Sequence, residues 1–235
     1  MNTVTRHSLH ISFQNAATQL SMYEIKELRY SDQLWNYAQS LGCSKLVILD
    51  QTHSAYGVCV DQYKSSSWFE QQGDFLISKT KGIALAVLTA DCMPLVFFDT
   101  KHKAVAVVHA GWRGLAQNIV QSAFEMMQSE YGTLPENIQV TIGPSALGCC
   151  YEVSENFIEN FKNFNWASKA LCKRDNRWYF NTMIFLKNQL QFLGVLVDNV
   201  DTQYATCTIC DDSYCSYRRQ KDQTGRQVTI VTLTE

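Results

Sequence analysis

The segment that most constrains this chain is residues 104–142. An unbroken apolar run, Ala104-Val105-Ala106-Val107-Val108, leads into a glycine-rich turn, His109-Ala110-Gly111-Trp112-Arg113-Gly114. Leu115, Ile119, Ala123 and Met127 then recur every fourth residue up to Tyr131, Gly132 closes that helix, and a second apolar run occupies Ile138–Ile142. Strands this uniformly apolar have no wet face, so both belong inside a layered α/β protein. Strand, helix and strand in this order make a βαβ unit, whose two strands lie parallel in one sheet. His109 and Gly143 then sit at the carboxyl ends of those strands, the edge at which open α/β sheets bind ligands.

The same pattern continues along the chain. Further β-type runs fall at 46–49, 83–88, 95–98, 195–197 and 228–233. One helix is expected behind Ser31 as N-cap, with Leu34, Trp35, Ala38 and Leu41 on its apolar side and Gly42 as its stop. Ser154 is placed to cap another through Phe157, Phe161 and Phe164, and Asn181 a further one over 182–193 that ends at Gly194. With three prolines, no charge block and no repeat, nothing reads as a linker. The expectation is an α/β fold, one domain over 1–235 with mixed sheets flanked by helices.

Composition removes several functions. Twenty basic and 22 acidic residues give a net charge of -2, and 46% of the chain is hydrophobic, which excludes a disordered chain and a strongly basic nucleic-acid binder. The longest apolar stretch, residues 83–98, carries Asp91 and Pro94 and is shorter than the ~20 clean residues of a membrane helix. The opening MNTVTRHSLHISF lacks the basic head and apolar core of a secretion signal, so a cytoplasmic protein without membrane or nucleic-acid partners is expected. Nine cysteines cannot all pair within the chain, and in a reducing compartment most should be free and buried.

Chemistry concentrates around His109. Asp99-Thr100-Lys101-His102 suits a hairpin; with Thr100 and Lys101 as its tip, the register sets Cys92 opposite His109, close enough for a shared metal or a proton exchange. Core filler and a satisfied buried histidine are the plainer readings of the same two residues. Arg113, beside the free N–H groups of a helix start, makes the 111–114 turn a candidate anion site, although the G-x-x-x-x-G-K-[ST] pattern of a P-loop is absent. Asp91 reads as bonding turn amides, His102 as an exposed hairpin residue, and His7 and His10 carry no signal. Cys207-x-x-Cys210 with Cys215 looks like half of a zinc ribbon, but no second C-x-x-C or nearby histidine completes it, and Cys149-Cys150 has no role that spacing assigns. Tyr217-Arg218-Arg219 with Arg226 is a basic cluster suited either to phosphate or to solvent.

Several of these segments occur together in an order that carries a resemblance: Gln51-Thr52-His53, Gly73-Asp74, Thr89-Ala90-Asp91-Cys92-Met93-Pro94, His109 to Gly114, Gly143-Pro144, Tyr151-Glu152-Val153, Cys207-Thr208, Ser216 to Arg219 and Thr224-Gly225-Arg226. From about Asp50 to its C-terminus the chain resembles the YfiH family, also called the laccase-domain or polyphenol oxidase family. The resemblance implies a YfiH-like fold and one zinc held by His53, Cys92 and His109, three ligands with a fourth position left for water or substrate. It also implies a purine nucleoside phosphorylase acting on adenosine, inosine or methylthioadenosine, with adenosine deaminase activity, and a link to peptidoglycan-precursor editing in bacteria. Residues 1–45 are atypical, lacking the family's T-R-x-G-G-V-S and L-N segments, and Asn181 stands where an aspartate is usual.

The leading expectation is therefore a zinc enzyme binding a purine nucleoside and phosphate, with Cys92, His109 and Arg113 at the reacting centre. The alternatives are a metal-free cysteine hydrolase or amidase, with Cys92 as nucleophile and His109 as base, and a binding protein with a vestigial site. Copper is the other metal the family's older name suggests, but five histidines cannot furnish both a blue-copper centre and a trinuclear cluster. Deamination would not follow the usual nucleobase-deaminase pattern, since H-x-E and P-C-x-x-C are missing.

Overall fold

The computed structural model describes residues 2–6, 8–18, 32–62 and 71–234. Two large mixed sheets form its centre. The first has strand order β1-β2-β14-β6-β3, from Asn2–Arg6, Leu9–Phe13, Gln227–Leu233, Ile83–Thr89 and Lys45–Ile48. The second runs β13-β9-β7-β8-β5-β4, from Val200–Asp201, Ile138–Ile142, Met93–Asp99, Ala104–Ala110, Phe75–Ser78 and Gly57–Cys59. A small third sheet, β10-β12-β11, is built from Glu152–Val153, Arg177–Phe180 and Leu171–Arg174.

The two large sheets share one apolar layer, in which Ile11, Leu85 and Val231 of the first pack with Leu76, Val96 and Val107 of the second. Helix Asp32–Ser40 covers the far face of the first sheet through Leu34 and Ala38 on Ile48, Ala86 and Ile230. On the far face of the second, Ile77, Phe97 and Val140 meet Val120 and Met127 of helix Ile119–Tyr131 and Phe185 and Leu186 of helix Thr182–Phe192. Successive strand side chains point to opposite faces. Along β7, Leu95 and Phe97 therefore enter the helix-side core while Val96 and Phe98 enter the inter-sheet layer. That is why the central strands read as continuous apolar runs.

β8 and β9 do lie parallel in one sheet, with β7 antiparallel between them. The helix joining them is not continuous: Trp112–Ala116 and Ile119–Tyr131 are separated at Asn118, whose φ of 69° places it in the left-handed region. Asparagine tolerates that conformation better than most residues, and here its side chain accepts a 2.7 Å bond from Gln189 Nε2. Asn181 caps its helix as expected, accepting from the Ile184 N–H at 3.0 Å. The stretch after Ser154 is instead a 3-10 turn, Glu155–Phe161, and the Ser154 hydroxyl bonds Asn156 rather than a helix N–H. Ring packing of Phe157 and Phe161 onto Phe180 prevails there over helical continuation. Residues 195–197 form no strand, Val197 being 69% exposed at the start of a 3-10 turn. Ser31, the expected N-cap of the first helix, and His7 lie outside the described residues.

The hairpin register also differs from expectation. Asp99 pairs with Ala104 and Pro94 with His109, so the connection is four residues long and Cys92 is not opposite His109. Asp99 holds this longer turn by accepting from the Lys101 and His102 N–H groups at 2.9 and 3.0 Å, with Lys103 left-handed at φ 54°. A shift of two residues preserves the alternation of faces, whereas a shift of one would reverse it. The atypical N-terminal part has a structural role: β2 pairs with β14, and the Phe13 ring lies so close to Gly143 that a Cβ there would fall 2.4 Å from it. Among the described residues no helix is long and apolar enough to cross a membrane.

Candidate metal centre and its cavity

Three loops and strand ends bring His53, Cys92 and His109 together. His109 is the next-to-last residue of β8, and Cys92 precedes β7 directly after Asp91, whose φ of 83° bends the chain out of β6. His53 belongs to the loop after β3, and Gln51 pins that loop to β6 by accepting from the Leu88 N–H at 2.7 Å and donating to the Leu88 carbonyl at 2.8 Å. One donor atom from each of the three residues lies within 4.8 Å of the others, and Cys92 Sγ is 3.8 Å from His53 Nε2. Gly111 makes the approach feasible, because a Cβ there would sit 2.9 Å from Cys92 Sγ and 3.0 Å from His53 Cδ2.

Asp74, a fully buried carboxylate just before β5, orients the His109 imidazole and anchors the backbone of the His53 loop. It accepts from the His53 and Ser54 N–H groups at 3.0 and 2.6 Å and from the Ser54 hydroxyl at 2.7 Å, and His109 Nδ1 lies 2.8 Å away. Burial alone would raise its pKa, but His109 and Ser54 hold it down at about 2. An ionised carboxylate can only accept, so Nδ1 of His109 carries a proton and Nε2 is the nitrogen that faces Cys92, free to bind a metal once its own proton has left. Burial opposes the thiolate of Cys92, yet His109 and His53 bring its pKa down to about 6. Burial also opposes the charged imidazole, which the Cys92 and Asp74 charges raise to about 9. Such a set could hold a metal ion: two imidazole nitrogens and a thiolate converge within 4.8 Å, and one imidazole is braced by a carboxylate.

Above this cluster opens a cavity of about 760 Å³ whose wall includes Arg113, Arg218 and Arg226 together with Trp112, Tyr151 and Tyr217. Arg113 stacks its guanidinium 4.5 Å from the centre of the Trp112 ring and makes no side-chain hydrogen bond among the described residues. Arg218 lies over Tyr151 at 4.8 Å and donates to the Glu152 carbonyl, and Arg226 donates to the Gly225 carbonyl. The basic cluster seen in the sequence is thus divided. Arg219 turns away to donate to the carbonyls of Thr208, Ile209 and Tyr214. Asp91 bonds an amide, as read from the sequence, accepting from the Arg218 N–H at 2.6 Å and from the Thr208 hydroxyl at 2.7 Å. Burial pushes the Tyr151 phenol up to about 12, so it remains protonated at neutral pH.

The remaining described histidines stay apart. His102 bonds Asp99 at 2.8 Å in the hairpin turn, and His10 sits between Thr5 and Tyr37 on the first sheet. Two features escaped the sequence reading. Asp74 stood in a recognised Gly-Asp motif without a role, and Cys149, Cys150, Cys207 and Cys210 meet with all sulfurs within 4.8 Å of one another. Cys215 does not join them and is buried elsewhere. Cysteines are also less buried than expected, with Cys149, Cys172 and Cys210 exposed.

Comparison with known proteins shows the family and the fold. The family described as multi-copper polyphenol oxidoreductase laccase matches residues 29–234. A purine nucleoside phosphorylase of Bacteroides thetaiotaomicron is 33% identical over 212 residues, 86% of this chain and 78% of its own. A protein called adenosine deaminase RL5, from an unknown prokaryotic organism, is 31% identical over 86% of this chain and 81% of its own. The fold is similar to that of the Bacillus licheniformis hypothetical protein YfiH, with a TM-score of 0.81 at 23% identity over 96% of this chain and 93% of the other. It is equally similar to Neisseria meningitidis protein NMB0706, with a TM-score of 0.81 at 22% identity over 100% and 99%.

Proposed function

The chain belongs to the laccase-domain family, and from that premise we propose that it is a zinc-dependent purine nucleoside phosphorylase. The observation that carries this reading is the placing of an N,N,S donor set beneath a cavity whose wall combines three arginines with aromatic rings. The arginines suit a phosphate, the aromatic and apolar wall suits a purine, and relatives bear the corresponding name.

His53, Cys92 and His109 would hold the zinc, leaving a fourth position facing the cavity. When bound, the ion supplies a Lewis acid at the cavity floor. Asp74 keeps His109 in the binding tautomer, and Gly111 leaves the ligands room. Arg113, whose side-chain donors are uncommitted among the described residues, holds phosphate beside the ribose. A phosphate oxygen forms the new bond to C1′, the C1′–N9 pair leaves with the purine, and the purine takes up a proton. Free base and ribose 1-phosphate are the products. A second activity of the same cavity, deamination of adenosine, would release ammonia, as the name of one relative suggests. Zinc suits the site better than a copper cluster, because of the described histidines only His53 and His109 reach the cavity.

One alternative rests on its own observation. Cys92, His109 and Asp74 are aligned as a nucleophile, base and orienting acid, the arrangement of a cysteine hydrolase. Base release from adenosine and inosine, measured with and without phosphate, tests the proposal. Phosphate-dependent formation of ribose 1-phosphate supports it. Phosphate-independent release, or activity that survives zinc removal and is lost on alkylating Cys92, sinks it.

A further inference from the structure

We propose that Cys149, Cys150, Cys207 and Cys210 form a second, structural zinc site, separate from the cavity. Their sulfurs all lie within 4.8 Å of one another, with Cys150–Cys210 at 3.1 Å and Cys149–Cys210 at 3.6 Å. In a tetrahedral tetrathiolate, Zn–S bonds of about 2.3 Å place the sulfurs about 3.8 Å apart. Side-chain adjustments of under about an ångström reach that geometry. Four protein ligands close the coordination shell, which makes the site structural rather than catalytic.

The backbone already assembles the two limbs. Cys149-Cys150 lies in the turn after β9, and Cys207-x-x-Cys210 approaches it through the Ser145–Cys207 bridge. The Ser145 N–H donates to the Thr206 carbonyl at 2.9 Å and the Thr208 N–H to the Ser145 carbonyl at 3.0 Å. Backbone hydrogen bonds from Leu147 and Cys210 reach the Cys207 sulfur. A zinc tetrathiolate carries a net charge of -2, and two guanidiniums are built against its limbs. Arg174 donates to the carbonyls of Gly148 and Cys149 at 2.7 and 2.9 Å, and Arg219 to those of Thr208, Ile209 and Asp211. Asp211, next to Cys210, is turned to the N–H and hydroxyl of Ser213. On binding, the four thiols release their protons as four Zn–S bonds form, with no redox change.

The site would clamp the cavity from behind. Ala146 and Tyr151 of the first limb line the cavity, and Thr208 of the second bonds Asp91 next to Cys92. Zinc content of the protein purified from zinc-supplemented medium tests the proposal. Cys92→Ser should keep one zinc per chain, whether or not the cavity itself binds metal, and a mercurial titration of that variant should release the zinc as thiols are consumed. Cobalt(II) exchanged into Cys92→Ser should show the intense charge-transfer bands of a tetrathiolate, and Cys149→Ser should lack them. A Cys92→Ser protein free of zinc, or a wild-type mass lower by two hydrogens from a Cys150–Cys210 disulfide, would overturn the assignment. Because these readouts come from a variant without the cavity thiolate, failure here leaves the phosphorylase reading standing.

Discussion

Asp74→Asn separates the bracing of the cavity metal from the general stability of the fold. The carboxylate accepts from donors on both oxygens: His109 Nδ1 and the His53 N–H on one, the Ser54 N–H and hydroxyl on the other. An amide of the same shape offers one oxygen and one NH₂. If the NH₂ faces Ser54, a half-buried backbone N–H loses its partner, at about 1 kcal/mol. If it faces His109, the imidazole must change tautomer, and the proton moves to the nitrogen that should bind metal. Loss of such a brace lowers metal affinity by about 10–100-fold, or roughly 1.4–2.7 kcal/mol. The control is Ser54→Ala, which removes one bond to the same carboxylate without touching His109; it should lower denaturant stability by about 1 kcal/mol and leave zinc affinity within about threefold. Because folding depresses the Asp74 pKa from 3.8 to about 2, the carboxylate's contribution is present above 3.8 and is lost as pH falls through 2. His109 adds a second window: Asp74 helps raise its pKa from 6.5 to about 9, so the stability difference between wild type and Asp74→Asn should be full at about pH 5–6 and shrink as pH rises from 6.5 through 9. Zinc affinity measured by chelator competition decides the matter. Wild-type affinity in Asp74→Asn, or an equal loss in Ser54→Ala, would refute the reasoning.

Other substitutions address other parts of the structure. Arg113→Ala should reduce phosphate-dependent base release by ten- to over a hundredfold, from a lost contact of about 1.5–3 kcal/mol, while zinc content stays unchanged; an unaltered phosphate dependence would count against the arginine. Gly111→Ala should lower zinc affinity more than melting temperature, since its methyl would press on Cys92 Sγ and His53 Cδ2. Asn118→Ala should cost about 1–2 kcal/mol in urea unfolding, because alanine is strained at φ 69° and Gln189 loses its acceptor; a neutral result would mean the two helices can fuse at little cost. Asp99→Ala should destabilise the β7–β8 hairpin by about 1–3 kcal/mol without changing zinc affinity, which thermal melts and chelator titration can read together.

How far the sequence reveals this protein depends on the range of the interactions involved. The βαβ unit, the Asn181 cap and the glycine stops were legible because each is decided by neighbours a few residues away. The hairpin shows the limit of that approach. Whether Asp99 ends a two-residue or a four-residue turn depends on its side chain capturing the Lys101 and His102 amides, and nothing in the apolar pattern reports that capture. The expected pairing of Cys92 with His109 did not form, yet the two side chains still meet, because a register that differs by two residues leaves the alternation of faces unchanged. Phe157 and Phe161 failed for the opposite reason: their spacing is helical, yet rings from β12 decide their conformation.

The four-cysteine cluster carries the same argument further. A zinc ribbon is recognised when both halves are written as C-x-x-C, because each half is a local turn that already presents two sulfurs to one point. Here only one half has that form. The other is an adjacent pair, Cys149-Cys150, whose side chains would diverge in an extended chain and converge on Cys210 only because residues 147–151 fold into a tight turn. That turn is tied to Cys207 through Ser145, and it leads into Tyr151 on the cavity wall. The chemistry invisible to spacing is thus joined through a few backbone bonds to the chemistry that spacing did reveal. A perturbation at the cysteine cluster should therefore reach the cavity through Tyr151 and the Thr208–Asp91 bond, altering substrate binding before it alters the affinity of the site proposed at His53, Cys92 and His109 for zinc.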